Sequence, residues 1–483
     1  MSSLQYVSTR QPAGDNTALG FEDVLLAGLA PDGGLYVPTE WPHFSKDRIR
    51  SLRGLDYPHL ATEIILPFVG DSFTKDELLT LLTDAYVGFD HKAVAPLKQL
   101  AHGQFVAELF HGPTLAFKDF ALQVLGRLFD TVLARRKQRI TIVGATSGDT
   151  GSAAIEACRD RENIDIVILY PEGRTSDIQR RQMTTVNASN VHTLAVAGTF
   201  DDCQDLVKAL FADAEFRARH QLSAVNSINW ARVMAQIVYY FWAGMALGAP
   251  DVPVAFSVPT GNFGNILAGH AARLMGLPIS SLTIATNRND ILYRFVETGE
   301  MRINGVEPSL SPSMDIQVSS NFERLFHEVL GRDGAKLAEA MAAFRKNGLL
   351  PATQAAWDKV REGFQAYRVD DEETRATIRT LHAETGELFD PHSAIAVEAM
   401  RRHVAKQPGS GVPHVALATA HPAKFPETVT EAIGLVPMLP PHMADLMTKP
   451  ERITRIANDF AAVRAFVDAH CGPQKSVPGK GRA

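Results

Sequence analysis

The chain has 483 residues, with 48 Lys and Arg against 54 Asp and Glu for a formal net charge of −6, and 45% of its side chains are apolar. At roughly 100–200 residues per domain this length gives two to four domains and enough core to need no disulfides. A charged fraction of 21% supplies no basic field, so nucleic acid is excluded as the main partner. Cys158, Cys203 and Cys471 show no CxxC and no ligand-like spacing to histidine, as expected of reduced thiols in a cytoplasmic protein. Residues 1–6 carry neither a basic start nor an apolar run, so no secretion signal is expected.

Residues 1–98 read as a mostly helical domain. Phe21, Val24, Leu25 and Leu29, then Leu60, Ile64, Ile65 and Phe68, recur at helical spacing, and Thr74 with Glu77 forms a capping pattern for another helix. The Gly33-Gly34 turn leads into a short strand or loop at residues 35–38. From about residue 139 the pattern changes to short β-rich runs at 140–143, 166–169, 191–196, 254–258, 282–285 and 415–417. Each is followed by a Gly or Pro loop and a helical segment, which predicts a parallel α/β sheet. Residues 233–250 hold no charge, but Gln236, Gly244, Gly248 and Pro250 make this a buried helix rather than a membrane span of ~17–25 residues. Residues 331–344 and 355–382 read as helical, and 448–470 repeats the style with Ile453, Ile456, Phe460, Val463 and Phe466 on one face. The C-terminal tail ending at Ala483 is expected to be disordered.

Two loops share one plan, in which a buried strand ends, small residues follow and a helix begins. They are Gly144-Ala145-Thr146-Ser147-Gly148-Asp149-Thr150-Gly151-Ser152 and Pro259-Thr260-Gly261-Asn262-Phe263-Gly264-Asn265. Small residues let backbone N–H groups approach an oxyanion, and the helix N-terminus adds roughly half a positive charge. Neither loop has the Gly-Lys-Ser/Thr of a Walker motif, and each reads equally as a tight connection or an anion site. Two of them in one sheet favour a ligand with two anionic ends, or two anionic ligands. A third stretch, residues 108–121, sets Lys118 between Phe117 and Phe120 after a Gly-Pro turn. An apolar setting can lower a lysine pKa enough for Schiff-base chemistry; the competing reading is a salt bridge to Asp119. The fourth stretch ends a strand at Thr419, where open α/β sheets bind ligands. His111, His392 and His421 sit near turns without metal-ligand spacing, so no metal site is expected.

In chain order the segments HGPTLAFKDFALQ, GATSGDTGSAA, PTGNFGNI and ATAHPAKFP, with YVSTR and GFEDVLLAGLAPDGGLYVP near the N-terminus, resemble the pyridoxal-phosphate enzymes of the tryptophan-synthase β-type fold (fold type II). Among these they resemble the longer branch of the threonine synthase family. The resemblance covers nearly the whole chain. It implies a two-lobed open parallel-sheet α/β fold over residues 99–430, with a smaller lobe at about 135–215, and a helical C-terminal extension over 431–483. Lys118 then matches the Schiff-base lysine. Gly261, Asn262, Phe263, Gly264 and Asn265 match the loop that holds the cofactor phosphate, and Thr419 matches the hydroxyl facing the pyridine nitrogen. A hydroxyl there makes the ring a milder electron sink than a carboxylate would.

The resemblance leaves Thr146, Ser147, Gly148, Asp149 and Thr150 to face substrate. Shorter relatives usually carry asparagine where Asp149 stands, so Asp149 is kept as a substrate-side or loop-shaping residue. The implied reaction is that of a lyase in threonine biosynthesis, converting O-phospho-L-homoserine and water to L-threonine and phosphate, with Lys118 as the first base. Arg174 and Arg232 are candidates to assist anion binding. A cytoplasmic monomer or homodimer acting on a small molecule is expected, with no membrane and no nucleic-acid partner. The alternatives are a phospho-lyase that releases a keto acid, a serine or threonine dehydratase, and an inactive anion-binding homologue. The helical N-terminal region argues against a dehydratase, and an intact Lys118 against an inactive homologue.

Overall fold

The computed structural model describes residues 3–12, 14, 15 and 17–472, so the tail expected to be disordered lies outside the described residues. The chain divides into two compact units. The first runs up to Val124 and resumes over Asn226–Pro441; the second takes in Leu125–Val225 and the chain from His442 on.

In the first unit, the strand Tyr6–Ser8 pairs antiparallel with Tyr36–Pro38, so the Gly33-Gly34 turn does lead into a strand. The helix Tyr57–Val69 starts where the Asp56 side chain accepts from the His59 N–H, and it buries Leu60, Ile64, Ile65 and Phe68. Helix Lys75–Tyr86 begins with the reciprocal Thr74–Glu77 capping box, which satisfies two N–H groups that a helix start leaves open. The uncharged stretch at 233–250 forms the helix Trp230–Ala246, buried on nearly every face. No helix among the described residues is long and apolar enough to cross a membrane.

The main sheet of this unit runs in the order Phe364–Arg368, Ile279–Thr286, Val254–Pro259, His414–Ala418, Gln104–Glu108, Leu97–Ala101. All its pairings are parallel except the last hairpin. The strands at 254–259, 414–418 and 104–108 are therefore neighbours that point the same way, and their C-terminal ends share one edge of the sheet. Open α/β sheets place their ligands outside that edge.

The second unit holds a five-stranded parallel sheet in the order Thr454–Ile456, Val191–Val196, Ile164–Pro171, Ile140–Ala145, Leu222–Ser223. The core beneath it includes Val143, Leu169, Leu194, Leu206, Leu210 and Phe216. Consequently the two glycine-rich loops are fed by strands of different sheets, and the expectation that they share one sheet is corrected.

Residues 355–382 also depart from the helical expectation. The helix Gln354–Gly363 stops, Phe364–Arg368 becomes a strand paired with residues 282–286, and a new helix Asp371–Thr385 starts at the Asp370 cap. Phe364, Ala366 and Tyr367 gain burial on the sheet, and the bare Cα of Gly363 lets the Arg273 guanidinium approach and donate to the Gly363 carbonyl at 3.0 Å. Likewise Ile456 lies in the strand Thr454–Ile456, and only Phe460–His470 is helical.

Candidate active site

Lys118 opens the helix Lys118–Arg136 and is half-buried, with its Nζ 5.1 Å from the centre of the Phe117 ring. The turn before it is built by Asp119, whose carboxylate accepts from the Thr114 N–H at 2.8 Å and from Thr114 Oγ1 at 2.7 Å. Gly112 is required here, since a Cβ would lie 2.5 Å from Asp119. Leu115 is held at φ +61°, a conformation that bulky L residues avoid, and its carbonyl accepts from the His421 N–H at 3.0 Å. The Phe117 N–H donates to the Thr419 carbonyl at 2.9 Å, and Ala116 bridges Ala420. The lysine segment and the Thr419 segment thus lie side by side at the sheet edge.

Thr419 is buried, and its N–H donates to Ser393 Oγ at 3.0 Å. Ser393 in turn donates to Asp390, whose other oxygen pairs with His392 Nδ1 at 2.7 Å. His392 Nε2 accepts the Ser313 N–H at 3.3 Å, and the Ser313 carbonyl lies 2.9 Å from where a Cβ on Gly261 would sit. The network Ser313–His392–Asp390–Ser393, buried except at Ser313, therefore fixes the Thr419 N–H and ends where the Ser313 carbonyl comes close to Gly261. Sequence reasoning noted His392 only as a turn histidine and missed Asp390 and Ser393. The available signal was Asp390-Pro391, a cap followed by a proline in the first turn of helix Pro391–Ala405.

The cup follows strand Val254–Pro259. Its carbonyls point away from the turn: Gly261 O accepts from Ser319 Oγ at 2.6 Å, and Asn262 O accepts from the Asn321 N–H and Nδ2, each at 3.1 Å. Phe263 sits in the left-handed region at φ +63° and packs its ring against Phe322 and Phe364. No side chain caps the helix Gly264–Leu274 that starts there, so its first N–H groups lack an acceptor. Asn265 turns its Oδ1 to the hydroxyls of Tyr239 and Tyr240, at 2.6 and 3.0 Å, and leaves its buried Nδ2 without a partner. What this turn lacks is an anionic acceptor, so its residues fit the phosphate of pyridoxal phosphate.

Thr146, Ser147, Gly148, Asp149 and Thr150 belong to the second unit. There Thr146 Oγ1 accepts from the N–H groups of Gly148 and Gly151, at 3.0 and 2.9 Å. Gln179 Nε2 donates to Asp149 Oδ1 at 2.9 Å. Arg174 is exposed, whereas Arg232 is buried. His111 pairs with Glu108 at 2.8 Å, and burial pushes the His421 pKa down to about 4. No group of three or more His, Cys, Asp or Glu among the described residues is placed to hold a metal ion.

Comparison with known proteins covers almost the whole chain. Residues 94–419 match the family described as pyridoxal-phosphate dependent enzyme, residues 5–86 the threonine synthase N terminus, and residues 393–467 the threonine synthase C-terminal region. A threonine synthase of Pseudomonas aeruginosa is 54% identical over 468 residues, spanning 97% of this chain and 98% of that one. The crystal structure of a pyridoxal-phosphate-bound threonine synthase from Brucella melitensis superposes with a TM-score of 0.94 at 51% identity, over 97% of this chain and 100% of that one. The yeast threonine synthase structure gives 0.92 at 39% identity, over 97% and 99%. The lysine segment, the phosphate-ready cup and the Thr419 strand end are thus found in a chain that belongs to the threonine synthase family of pyridoxal-phosphate-dependent lyases.

Proposed function

We propose that this chain converts O-phospho-L-homoserine and water to L-threonine and inorganic phosphate, using Lys118 as the cofactor-bearing lysine and proton carrier. The observation that carries this reading is the shared edge of strands 104–108, 414–418 and 254–259, from which the Lys118 segment, Thr419 and the 261–265 cup all emerge. Bound pyridoxal phosphate supplies the electron sink that acidifies the substrate's α carbon and then its β carbon.

The chain's own residues do the rest. Gly261, Asn262, Phe263, Gly264 and Asn265 hold the cofactor phosphate through open N–H groups, and the carbonyl contacts of Ser319 and Asn321 keep those groups facing the ligand. Thr419 meets the ring nitrogen with a hydroxyl, its backbone fixed from one side by Phe117 and from the other by Ser393. Lys118 Nζ accepts the α proton and returns protons at later steps, a role worth roughly 10²–10⁴ in rate for a well-placed base. Thr146, Ser147, Gly148, Asp149 and Thr150 are proposed for the substrate on the strength of their motif. We further infer a cytoplasmic enzyme, monomeric or homodimeric, without a nucleic-acid partner; the near-neutral net charge of −6 supports the last point.

The test is to incubate the purified protein with pyridoxal phosphate and O-phospho-L-homoserine and to identify the products. L-Threonine and phosphate in equal amounts are expected. α-Ketobutyrate without threonine would replace this reading with that of a phospho-lyase.

A further inference from the structure

Beyond Thr419 the chain runs antiparallel to the lysine segment, and the two are joined by a short ladder. Two rungs are backbone: the Phe117 N–H donates to the Thr419 carbonyl at 2.9 Å, and the His421 N–H donates to the Leu115 carbonyl at 3.0 Å. The third rung is a side chain. From the end of the 3₁₀ turn Pro422–Lys424, Lys424 Nζ reaches back across 310 positions of sequence and donates to the Thr114 carbonyl at 2.7 Å. The turn that aims it is held from within, because His421 Nδ1 accepts from the Ala423 N–H at 3.1 Å and the Lys424 N–H donates to the His421 carbonyl at 3.0 Å. Burial pushes the His421 pKa down to about 4, so the ring is neutral at pH 7 and this nitrogen can accept.

Lys424 and Asp119 are both fully buried, and both meet Thr114. The Thr114 N–H and hydroxyl donate to the Asp119 carboxylate, while its carbonyl accepts from the Lys424 ammonium. Thr114 therefore stands between a buried anion and a buried cation with each of its polar groups used, and hydrogen bonds to charged groups are the strong ones. Satisfying one carbonyl does not require a charge, since a neutral donor would do so without taking an ammonium out of water. The charge adds a partner of opposite sign for the carboxylate that shapes the turn, acting through a residue four positions before Lys118. Between Thr114 and Lys118 lies Leu115 at φ +61°, a strained conformation that persists only where its surroundings over-determine it. Asp119 supplies that restraint from the helix side, and His421 and Lys424 supply it from the Thr419 side.

We propose that Lys424 is a positioning residue for Lys118: through Thr114 and Asp119 it locks the 112–119 turn and so sets the direction from which the Lys118 amine meets cofactor and substrate. The proposal rests on the reading of Lys118 as the cofactor-bearing lysine. A misplacement of about 1 Å at a reacting group can cost about 10²-fold in rate. Loss of the latch is therefore read in turnover and in the setting of the bound cofactor, not in substrate affinity.

The experiment compares wild-type, Lys424→Met and Lys424→Arg holoenzymes; methionine keeps the length without the charge, and arginine keeps the charge with a different reach. The quantities read are kcat and KM for O-phospho-L-homoserine, the visible circular dichroism of the bound cofactor relative to its absorbance, and the thermal midpoint. Lys424→Met is expected to lower kcat about tenfold or more with KM within twofold, and to change the relative ellipticity at least twofold. Lys424→Arg is expected to fall between Lys424→Met and wild type in both. A folded Lys424→Met that has a lower thermal midpoint but keeps kcat and ellipticity within twofold of wild type has lost stability alone and overturns the proposal. A fall in kcat with unchanged ellipticity, or one matched by a rise in KM, overturns it as well. Should Lys424→Met not fold, Lys424→Arg decides by the same readouts, with kcat and ellipticity within twofold of wild type overturning the proposal. Visible cofactor absorbance that survives Lys118→Ala would instead defeat the reading of Lys118, which the ellipticity of the Lys424 variants does not test.

Discussion

The two glycine-rich turns, one in each compact unit, look alike as sequence and differ in where their hydrogen bonds go. In the 144–152 turn, Thr146 Oγ1 accepts from two backbone N–H groups of its own loop, and Gln179 holds the Asp149 carboxylate in the first turn of the helix. The 259–265 turn has no such internal acceptor; its carbonyls are taken by Ser319 and Asn321, and its helix start and Asn265 Nδ2 are left open. A helix start that already holds an oxygen of its own has less need of an external anion. A glycine-rich βα turn therefore announces an anion site only when the neighbouring side chains leave its donors free.

The largest effect that can break this comparison is at the lysine. Lys118→Ala should remove the visible absorbance of the bound cofactor and lower threonine formation by roughly 10²–10⁴; a variant that keeps both would detach the lysine from the cup. Next comes Gly261→Val, whose Cβ would lie 2.9 Å from the Ser313 carbonyl, a backbone atom that cannot easily yield. Titration of the apoprotein should show pyridoxal phosphate bound at least ~10-fold more weakly, about 1.4 kcal/mol, and unchanged affinity would mean the cup is not the phosphate site. Thr146→Val sharpens the other half. It strands two N–H donors and should cost about 1–3 kcal/mol in denaturant unfolding, while cofactor affinity stays within twofold. An equal fall in cofactor affinity would erase the distinction between the turns.

The smallest effect is set by pH. His270 lies on the cup's own helix, buried, with Nδ1 accepting from Arg273 at 2.9 Å, and burial lowers its pKa to about 3. In the unfolded chain an ordinary histidine takes up its proton near pH 6.5. Its contribution is thus fully present above about pH 6.5 and is lost as the pH falls toward 3, at most about 1.4 kcal/mol per pH unit. Thermal midpoints measured at pH 7.0 and 5.5 should fall accordingly in wild type and fall less in His270→Gln; equal falls would remove His270 as the cause.

Much of the fold was legible because buried parallel strands are short apolar runs bounded by glycine and proline. The runs at 140–143, 166–169, 191–196, 254–258, 282–285 and 415–417 all lie within strands. The strand Phe364–Arg368 escaped notice because it is an edge strand flanked by charged helices, and only pairing with residues 282–286 gives its side chains a surface to cover. The same holds for Thr454–Ile456, whose partner lies some 260 residues earlier in the chain, at 194–196.

At the proposed site, Lys118, the cup and Thr419 could be named only through the resemblance of several motifs in chain order, since each local pattern alone reads equally well as an ion pair, a tight turn or a strand end. The Asp390, His392 and Ser393 network could not, because it links Thr419 to Ser313, residues about a hundred positions apart. Sequence by itself also determined that Arg232 directly precedes the uncharged stretch at 233–250. Tertiary packing alone decided that its side chain is buried, with Nε unpartnered among the described residues. The physical reason is the same throughout: short-range patterns specify which groups are present and how each element begins. Which donors stay unpaired depends on contacts between residues tens to hundreds of positions apart.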